Sequence, residues 1–231
     1  MKVVVKIGGH VFASPFDSTW VIEYSKLFTK LHNDGHQVVV IVGGGDEARK
    51  YIHVAKKLGG SDYVCDMLGI EVSRLNARLL ITGLGDIAYP EPLTTLKAVR
   101  TLFDGKKVVV MGGLLPGQST NAVGILVAEA VVADLFINAT DVDGVYTSNP
   151  KTDPTAKKLA IIQTDELFTL TSRETYQAGG YALFDLVAIK IVERSGIPTR
   201  IVDGKEPINI QRAIRGENVG TLITSRKVSK A

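Results

Sequence analysis

The hydrophobic positions of this 231-residue chain fall into two alternating kinds of segment. Short runs of β-branched and other apolar residues, bounded by glycine, proline or polar residues, are typical of buried strands. Strands are predicted at 3–7, 37–42, 86–89, 107–111, 135–139, 158–162, 199–202 and 221–224. Several of these runs are apolar throughout, which favours a sheet covered on both faces.

Between the strands lie longer segments with apolar residues at three- and four-residue steps, the spacing of an amphipathic helix. Helices are predicted at about 17–34, 46–58, 63–80, 93–103, 122–133, 165–170, 185–195 and 209–214. In the helix at 63–80, the stripe expected to face the core consists of Val64, Met67, Leu68, Val72, Leu75 and Leu79. The alternation predicts a three-layer α/β/α sandwich with a mostly parallel central sheet.

Three of the predicted strands end in glycine turns, at 8–9, 43–45 and 112–113. Ligands bind beyond the carboxyl ends of strands in open parallel sheets, so the three turns are expected to face one crevice. Glycine allows main-chain amides to approach an anion, and a helix start adds partial positive charge. The pattern predicts a phosphate-binding crevice, although the turn at 43–45, taken alone, also fits an ordinary strand-to-helix connection.

Charged and polar residues accompany these turns. Lys6 interrupts the first strand, and Arg49, just after the second turn, supplies a guanidinium suited to phosphate oxygens. Asp66 could accept hydrogen bonds from paired sugar hydroxyls, or it could cap its helix or be solvated. The loop at 112–121 is too long for a minimal turn and is predicted to bind a ligand, while Ser119 also suits a helix N-cap.

A polar loop follows the strand at 135–139. Asp141 and Asp143 could order a turn, hold a hydrated magnesium ion, or do neither. Tyr146 offers a flat surface for a purine ring. No histidine or cysteine in the sequence stands out as a nucleophile.

Composition restricts the functional classes. Hydrophobic residues make up 45% of the chain, which supports a sizeable core. A net charge of +3 gives no strong field for nucleic acid, and the single Cys65 forms no internal disulfide or Cys/His metal motif. We find neither a signal-peptide pattern nor an apolar stretch of membrane-spanning length, so a soluble, cytoplasmic protein without nucleic-acid or membrane partners is expected.

Five motifs occur in a fixed order along nearly the whole chain. They are KIGG at 6–9, VGGGDEAR at 42–49, GGLLPGQST at 112–120, DVDGVYTSNPKTDPTAKK at 141–158 and GTLIT at 220–224. Together they resemble the amino acid kinase superfamily, and within it the archaeal type of uridylate kinase (UMP kinase).

The resemblance implies an ATP-dependent transferase of pyrimidine biosynthesis that phosphorylates UMP to UDP. It implies ATP accompanied by Mg²⁺ that the phosphates mainly hold, a homohexamer, and allosteric feedback by UTP. It also implies one domain over 1–231, with an N-terminal lobe for the acceptor UMP and a C-terminal lobe for ATP.

Site residues follow from the same motifs. Positions that resemble the family's ATP site are Lys6, Gly8, Gly9, Gly45, Arg49, Thr140, Asp141, Tyr146 and Asn149. Positions that resemble its UMP site are Gly44, Asp66, Leu114, Leu115, Pro116, Gly117, Gln118, Ser119 and Thr120. The implied catalytic residues are Lys6, Arg49 and Asp185, and no residue is implied as a direct metal ligand.

Two positions depart from the family pattern. Asn121 stands where these kinases commonly have aspartate, and Asn149 stands where many relatives have aspartate. Both changes remove a negative charge. If the acid at 121 helps to order lysines or magnesium, Asp185 must carry more of that task.

Direct in-line transfer is expected, because the phosphate of UMP is already a competent nucleophile at neutral pH. One alternative is another kinase of the superfamily that acts on isopentenyl phosphate, acetylglutamate or carbamate. Isopentenyl phosphate kinases place a histidine-containing turn after the glycine triplet, where this chain has 46–49 ending in Arg49. A non-catalytic protein that binds nucleotides or oxyanions on this fold is the other alternative.

Overall fold

The computed structural model describes residues 1–12, 17–150, 152–175 and 184–225. Seven strands form one sheet in the order β3-β2-β1-β4-β8-β9-β7. Their bounds are Lys2–Ile7 for β1, Gln37–Val42 for β2, Val109–Met111 for β3, Leu135–Thr140 for β4, Ile161–Gln163 for β7, Thr199–Asp203 for β8 and Thr221–Thr224 for β9. Strands β5 (Val145–Tyr146) and β6 (Lys158–Leu159) form a separate antiparallel hairpin.

The first five strands of the sheet order, from β3 to β8, are parallel to one another. Strand β9 is antiparallel to β8, and β7 is parallel to β9. The prediction of a mostly parallel sheet is therefore confirmed. Because β1, β2 and β3 are neighbours and run in the same direction, the glycine turns that follow them lie at one edge of the sheet.

Eight α-helices connect the strands in the part of the chain that the structure describes. They are α1 (Ser18–Asn33), α2 (Gly45–Lys57), α3 (Asp62–Leu84), α4 (Leu96–Leu102), α5 (Thr120–Val131), α6 (Thr164–Thr175), α7 (Leu186–Ser195) and α8 (Ile208–Ile214). Asp17 caps α1, since its side chain accepts a hydrogen bond from the Thr19 amide. None of the described helices combines the length and the apolar composition needed to span a bilayer.

Apolar residues on the two faces of the sheet belong to two separate cores. In β1, the side chains of Val3, Val5 and Ile7 pack with α1, α3 and α8. Val4 faces the opposite way and packs with α5 and α7. Helices therefore cover both faces, which confirms the predicted α/β/α sandwich and explains why the inner strands carry continuous apolar runs.

Three local predictions were wrong. The strand predicted at 86–89 is a 3₁₀ turn, Gly85–Ile87, followed by a single bridge between Ala88 and Val108. Pro90 has no amide hydrogen to extend that bridge into a ladder. The strand predicted at 158–162 is divided between β6 in the hairpin and β7 in the sheet. Helix α4 begins only at Leu96, where the Thr95 side chain accepts from the Ala98 amide.

The buried face of α3 also differs from the predicted stripe. Val64, Leu75 and Leu79 are 43%, 60% and 40% exposed, whereas other positions of the helix face the core. The buried residues of α3 are Cys65, Ile70, Ser73, Asn76, Ala77, Leu80, Ile81 and Leu84. The polar members of this set bond to the glycine turns, and those bonds orient the helix.

We predict that Leu80→Ala lowers the free energy of unfolding by about 2–5 kcal/mol, because it opens a cavity at a fully buried position. The adjacent Leu79→Ala is the matched control and is expected to cost less than about 1 kcal/mol. Urea unfolding of both variants at one protein concentration measures the difference. Equal losses would show that we have assigned the wrong face of α3 to the core.

Candidate active site

The glycine turns after β1 and β2 pack directly against each other. Gly45 has φ +68°, and a Cβ built on it would lie 2.7 Å from the carbonyl oxygen of Phe12. A Cβ on Gly9 would overlap the Cα of Gly45. The amide of Gly43 donates to the carbonyl of Ile7 at 3.2 Å. Only glycine fits at 9 and 45, and the close approach joins two stretches of backbone at the carboxyl edge of the sheet.

Helix α3 supports the glycine turns with two buried polar side chains. Asn76 Nδ2 donates to the carbonyl oxygens of Gly43 and Gly44 at 3.0 and 3.2 Å. Ser73 Oγ accepts from the amide of Gly113 at 2.7 Å. Two of the three predicted turns are thus fixed to the same helix, in agreement with the expectation that they share a crevice.

Lys6 lies on β1, one residue before the strand ends, and is only 8% exposed. Burial lowers the pKa of the Lys6 ammonium from 10.5 to about 8, while the negative charges of Asp141 and Asp185 act in the opposite direction. The group is therefore mainly protonated at neutral pH. A poorly hydrated cation next to glycine-turn amides is suited to stabilising a phosphoryl group.

Asp185 connects two helix N-termini near this lysine. Its Oδ1 accepts from the amide of Ala188 at 2.9 Å, which caps α7. Its Oδ2 accepts from the hydroxyl of Ser119, which itself caps α5 by accepting from the amide of Ala122 at 3.0 Å. The helix starts carry partial positive charge. The Ser119–Asp185 bond was not predicted from the sequence, in which the two residues are 66 positions apart.

Asp66 and the loop at 114–120, both predicted for one ligand, lie together. Asp66 Oδ2 accepts from the amide of Gly117 at 2.7 Å. Arg74, which sequence analysis missed, fixes the base of the loop by donating to the carbonyls of Gly113 and Leu114 at 3.3 and 3.4 Å. An arginine inside a helix gives no local signal of such a role. The bond from Gly117 leaves the other oxygen of Asp66 to accept from a ligand hydroxyl.

Hydrogen bonds order the loop after β4. Thr140 Oγ1 donates to Asp141 Oδ1 at 3.2 Å, and the Tyr146 hydroxyl donates to Asp143 Oδ1 at 3.0 Å. Lys158 Nζ contacts Asp143 Oδ2 at 3.0 Å and joins β6 to the loop that precedes β5. Burial and the bond to Asp143 raise the pKa of Tyr146. The sequence left several roles open for Asp143. In the structure, its carboxylate orders the turn by bonding to Tyr146 and Lys158.

Two predicted ATP residues have partners within their own segments. The side chain of Arg49 is 72% exposed, and its guanidinium pairs with Asp46 on the same helix. The main-chain carbonyl of Asn149 accepts hydrogen bonds from the main-chain amides of Thr152 and Asp153 at 3.1 and 2.9 Å, and these bonds close a turn. For both residues, contact with a nucleotide stays a prediction.

Asn138 is a further polar residue at this site that sequence analysis missed. It lies on β4 and is fully buried, and neither its Oδ1 nor its Nδ2 has a hydrogen-bond partner within the described chain. An unpaired buried polar group costs about 1–3 kcal/mol. The signal was present in the sequence, because asparagine interrupts the apolar run LFINAT as lysine interrupts the first strand.

A separate cavity of about 410 Å³ lies between the β5–β6 hairpin and α8. Its lining includes Asp143, Lys158 and Arg212, but no residue of the glycine turns. Lys158 pairs with Asp143, and Arg212 pairs with Glu217. We therefore place the candidate active site at the carboxyl edge of the sheet near Lys6, where a buried charge and the glycine turns occur together.

Comparison with known proteins identifies the family of this chain. The model of the amino acid kinase family matches residues 1–203. The chain belongs to the amino acid kinase family. A uridylate kinase from Hyperthermus butylicus is 46% identical over 222 residues, which cover 96% of this chain and 97% of that protein. A uridylate kinase from Methanococcoides burtonii is 42% identical over 96% of this chain and 94% of its own length.

Solved structures show the same family fold. A uridylate kinase from Archaeoglobus fulgidus superposes with a TM-score of 0.87 and 41% identity, covering 97% of this chain and 100% of the other. A UMP kinase from Bacillus anthracis gives a TM-score of 0.81 over 96% of this chain and 95% of its own. At 23% identity, the second comparison supports the fold alone.

The buried lysine of this family member predicts a pH-dependent stability difference. The folded-state pKa of Lys6 lies below 10.5, so the cost of burying its charge is fully present below about pH 8 and fades as pH rises toward 10.5. We expect Lys6→Met to be more stable than the parent at pH 7. That advantage should shrink by about 2–3 kcal/mol between pH 7 and pH 10.

Urea unfolding of the parent and of Lys6→Met at the two pH values measures this change. Matching circular dichroism spectra would establish that the variant keeps the fold. A stability difference that stays constant with pH would contradict the inferred cost of burying the charge.

Proposed function

We propose that the chain is an ATP-dependent nucleoside monophosphate kinase that transfers the γ-phosphoryl group of ATP to UMP and forms UDP. The observation that carries the proposal is the desolvated Lys6 at the sheet edge where two packed glycine turns lie. Near-full-length similarity to archaeal uridylate kinases supports the choice of UMP over the other acceptors used on this fold.

The acceptor UMP binds on the side of Gly44, Asp66 and the loop at 114–120 in this proposal. The bond from the Gly117 amide to Asp66 supports it, because it fixes a carboxylate beside a predicted binding loop. A carboxylate held in this way can accept hydrogen bonds from the two ribose hydroxyls. The loop then closes around the uracil and the sugar.

ATP binds with its phosphates against Lys6 and the glycine turns. The residues assigned to it are Lys6, Gly8, Gly9, Gly45, Arg49, Thr140, Asp141, Tyr146 and Asn149. The ordered loop after β4 supports a nucleoside site there, since Tyr146 is held at a fixed position by Asp143. The phosphate role of Arg49 requires its guanidinium to leave Asp46 or to share it with the ligand.

Transfer between two phosphates must overcome repulsion between anions. Lys6, the glycine-turn amides and the start of α5 supply positive charge, so the acceptor phosphate can approach in line with the γ-phosphorus. The terminal oxygen of UMP forms the new bond to phosphorus, and the β–γ bridging oxygen leaves with ADP. The acceptor oxygen carries no proton that must be removed in the reacting form, so no general base is needed.

Magnesium enters as part of the substrate MgATP, in which phosphate oxygens hold the ion. The described residues contain no group of three or more acidic, histidine or cysteine side chains that could hold a metal ion. Asp185 has a different task in this proposal. Its charge favours the protonated form of Lys6, and it joins α5 to α7 through Ser119. This task matters more here because position 121 is neutral asparagine.

The same resemblance leads us to propose one domain with an acceptor lobe and an ATP lobe, a homohexamer, and feedback inhibition by UTP in cytoplasmic pyrimidine biosynthesis. The exposed apolar side chains of Val64, Leu75 and Leu79 on α3 support association between copies, because contact with a second copy would remove them from water.

A coupled assay of ADP formation with several acceptors tests the proposed activity. We expect turnover with UMP to exceed that with isopentenyl phosphate, acetylglutamate and carbamate. Lys6→Met should lower kcat with UMP by roughly 100-fold or more, because it removes a preorganised cation from the transferred group. Near-parental turnover in Lys6→Met would remove Lys6 from the mechanism, and a preference for another acceptor would overturn the assignment to UMP.

Asp66→Asn is predicted to raise the KM for UMP about tenfold at saturating ATP, with a much smaller effect on the KM for ATP, because a neutral amide accepts sugar hydroxyls less strongly than a carboxylate. Asp62→Asn on the same helix is the matched control, since the Asp62 side chain is 96% exposed. Steady-state kinetics of both variants give the comparison. An effect of Asp66→Asn confined to the KM for ATP would show that Asp66 belongs to the ATP site and not to the UMP site.

A further inference from the structure

Asn138 lies directly beside Lys6 in the sheet. The parallel register of β1 and β4 pairs Lys6 with Asn138, on strands that are about 4.8 Å apart. Paired residues of neighbouring strands point to the same face, and the next residues across the sheet at this level are Ile41 and Ile201. The Asn138 amide is therefore the polar neighbour of Lys6, and the residues that flank this pair on either side are apolar.

Helix α5 covers this row and keeps water out. At Gly124, a Cβ would lie 2.6 Å from the ring of Phe136 and 3.6 Å from the Cβ of Lys6. The missing side chain lets the helix lie against β1 and β4 at the position of the lysine. Asn138 is 0% exposed as a result, so bulk solvent does not supply the hydrogen bonds that the protein leaves unmade.

An amide in this position needs a physical explanation. Buried polar groups are nearly always paired, and an apolar side chain of the same size would fit the surrounding core without the penalty. The residue paired with Asn138 in the register, Lys6, carries an ammonium donor. Other charged groups that act on Lys6 are Asp141, in the loop after β4, and Asp185, at the start of α7. Asn138 is distinct from both because it is uncharged and lies within the sheet.

We propose that Asn138 is a positioning residue for Lys6, whose ammonium donates a hydrogen bond to the Asn138 side-chain carbonyl when the phosphates of both nucleotides are bound. This contact fixes the direction of the ammonium and favours its protonated form. Catalytic hydrogen bonds often tighten only in the loaded site, so an open contact in the free protein is consistent with this role. The inference rests on the proposed phosphoryl transfer, in which Lys6 acts as a cation.

Asn138→Leu removes the amide at nearly constant volume. We expect kcat with UMP and ATP to fall about 10- to 100-fold while both KM values stay within about threefold, because a positioning contact acts on the reacting geometry. The melting temperature should not fall, since an unpaired buried amide is replaced by an apolar group. Without the Asn138 carbonyl, the protonated form of Lys6 is less favoured. The fall of kcat at alkaline pH should therefore begin at lower pH than in the parent.

Asn138→Asp supplies the opposite change. A carboxylate beside Lys6 favours the ammonium, so the fall of kcat at alkaline pH should begin at higher pH than in the parent. Opposite displacements in the two variants are the signature of an interaction with Lys6, which a purely structural role of Asn138 would not produce. The aspartate variant also keeps the proposal testable if Asn138→Leu does not fold.

Gln163→Met is the matched control for loss of an unpaired buried oxygen. Gln163 Oε1 is likewise buried without a partner in the described chain. Gln163 is, however, the last residue of β7, which runs antiparallel to β1 and β4, so it lies at the opposite edge of the sheet from the glycine turns. We expect its kcat and pH profile to match the parent within about twofold. An equal loss in both variants would show a general packing effect and overturn the proposal.

Titration of the Lys6 side chain by NMR in the parent, Asn138→Leu and Asn138→Asp distinguishes this inference from the proposed function. The Lys6→Met variant assigns the signal. The titration is recorded with ADP and UMP bound, the state in which the contact is proposed, so it reports the contact whether or not the parent turns UMP over. The parent's failure to phosphorylate UMP would refute the function alone. Unchanged Lys6 titration in both Asn138 variants, together with parental kcat, would overturn the positioning role.

Discussion

Burial of one positive charge at the carboxyl edge of the sheet is the constraint on which the rest of the site depends. Lys6 is only 8% exposed, and its pKa is lowered to about 8 by that burial. Such a charge is costly unless compensating groups lie nearby. Asp141 and Asp185 supply opposite charge from two different elements. An incoming phosphate would relieve the same cost, so the stability lost in the free protein becomes available for binding and for transition-state stabilisation.

The surrounding backbone is arranged so that this edge stays narrow and rigid. Gly9 and Gly45 allow two turns to touch, and buried polar side chains of α3 hold the turn carbonyls and amides in place. The face of α3 that carries Ser73 and Asn76 is therefore buried, and Val64, Leu75 and Leu79 stay exposed. The hydrogen bonds to the turns orient the helix. The apolar residues on the same face as Ser73 and Asn76 are the ones that become buried.

Local patterns predicted much of the fold and the general place of the site. Alternating apolar runs and helical stripes indicated the sandwich, and the rule for parallel strands placed the glycine turns at one edge. Lys6 was recognisable as a charge inside an apolar strand. Asn138 carried the same kind of signal, yet a buried amide is ordinarily paired with a neighbour, so the residue alone gives no sign of a role at the site. Its lack of partners is visible only when every neighbour has been placed.

The sequence by itself determined most of the order of elements, the glycine turns and the family, because these depend on residues close together in the chain. Tertiary structure alone decided which face of α3 is buried, that Asp66 meets the loop at Gly117, and that Ser119 bonds to Asp185. The partners in those bonds are 51 and 66 residues apart. Periodicity carries no information about such pairs, since their distance is set by how the helices pack on the sheet.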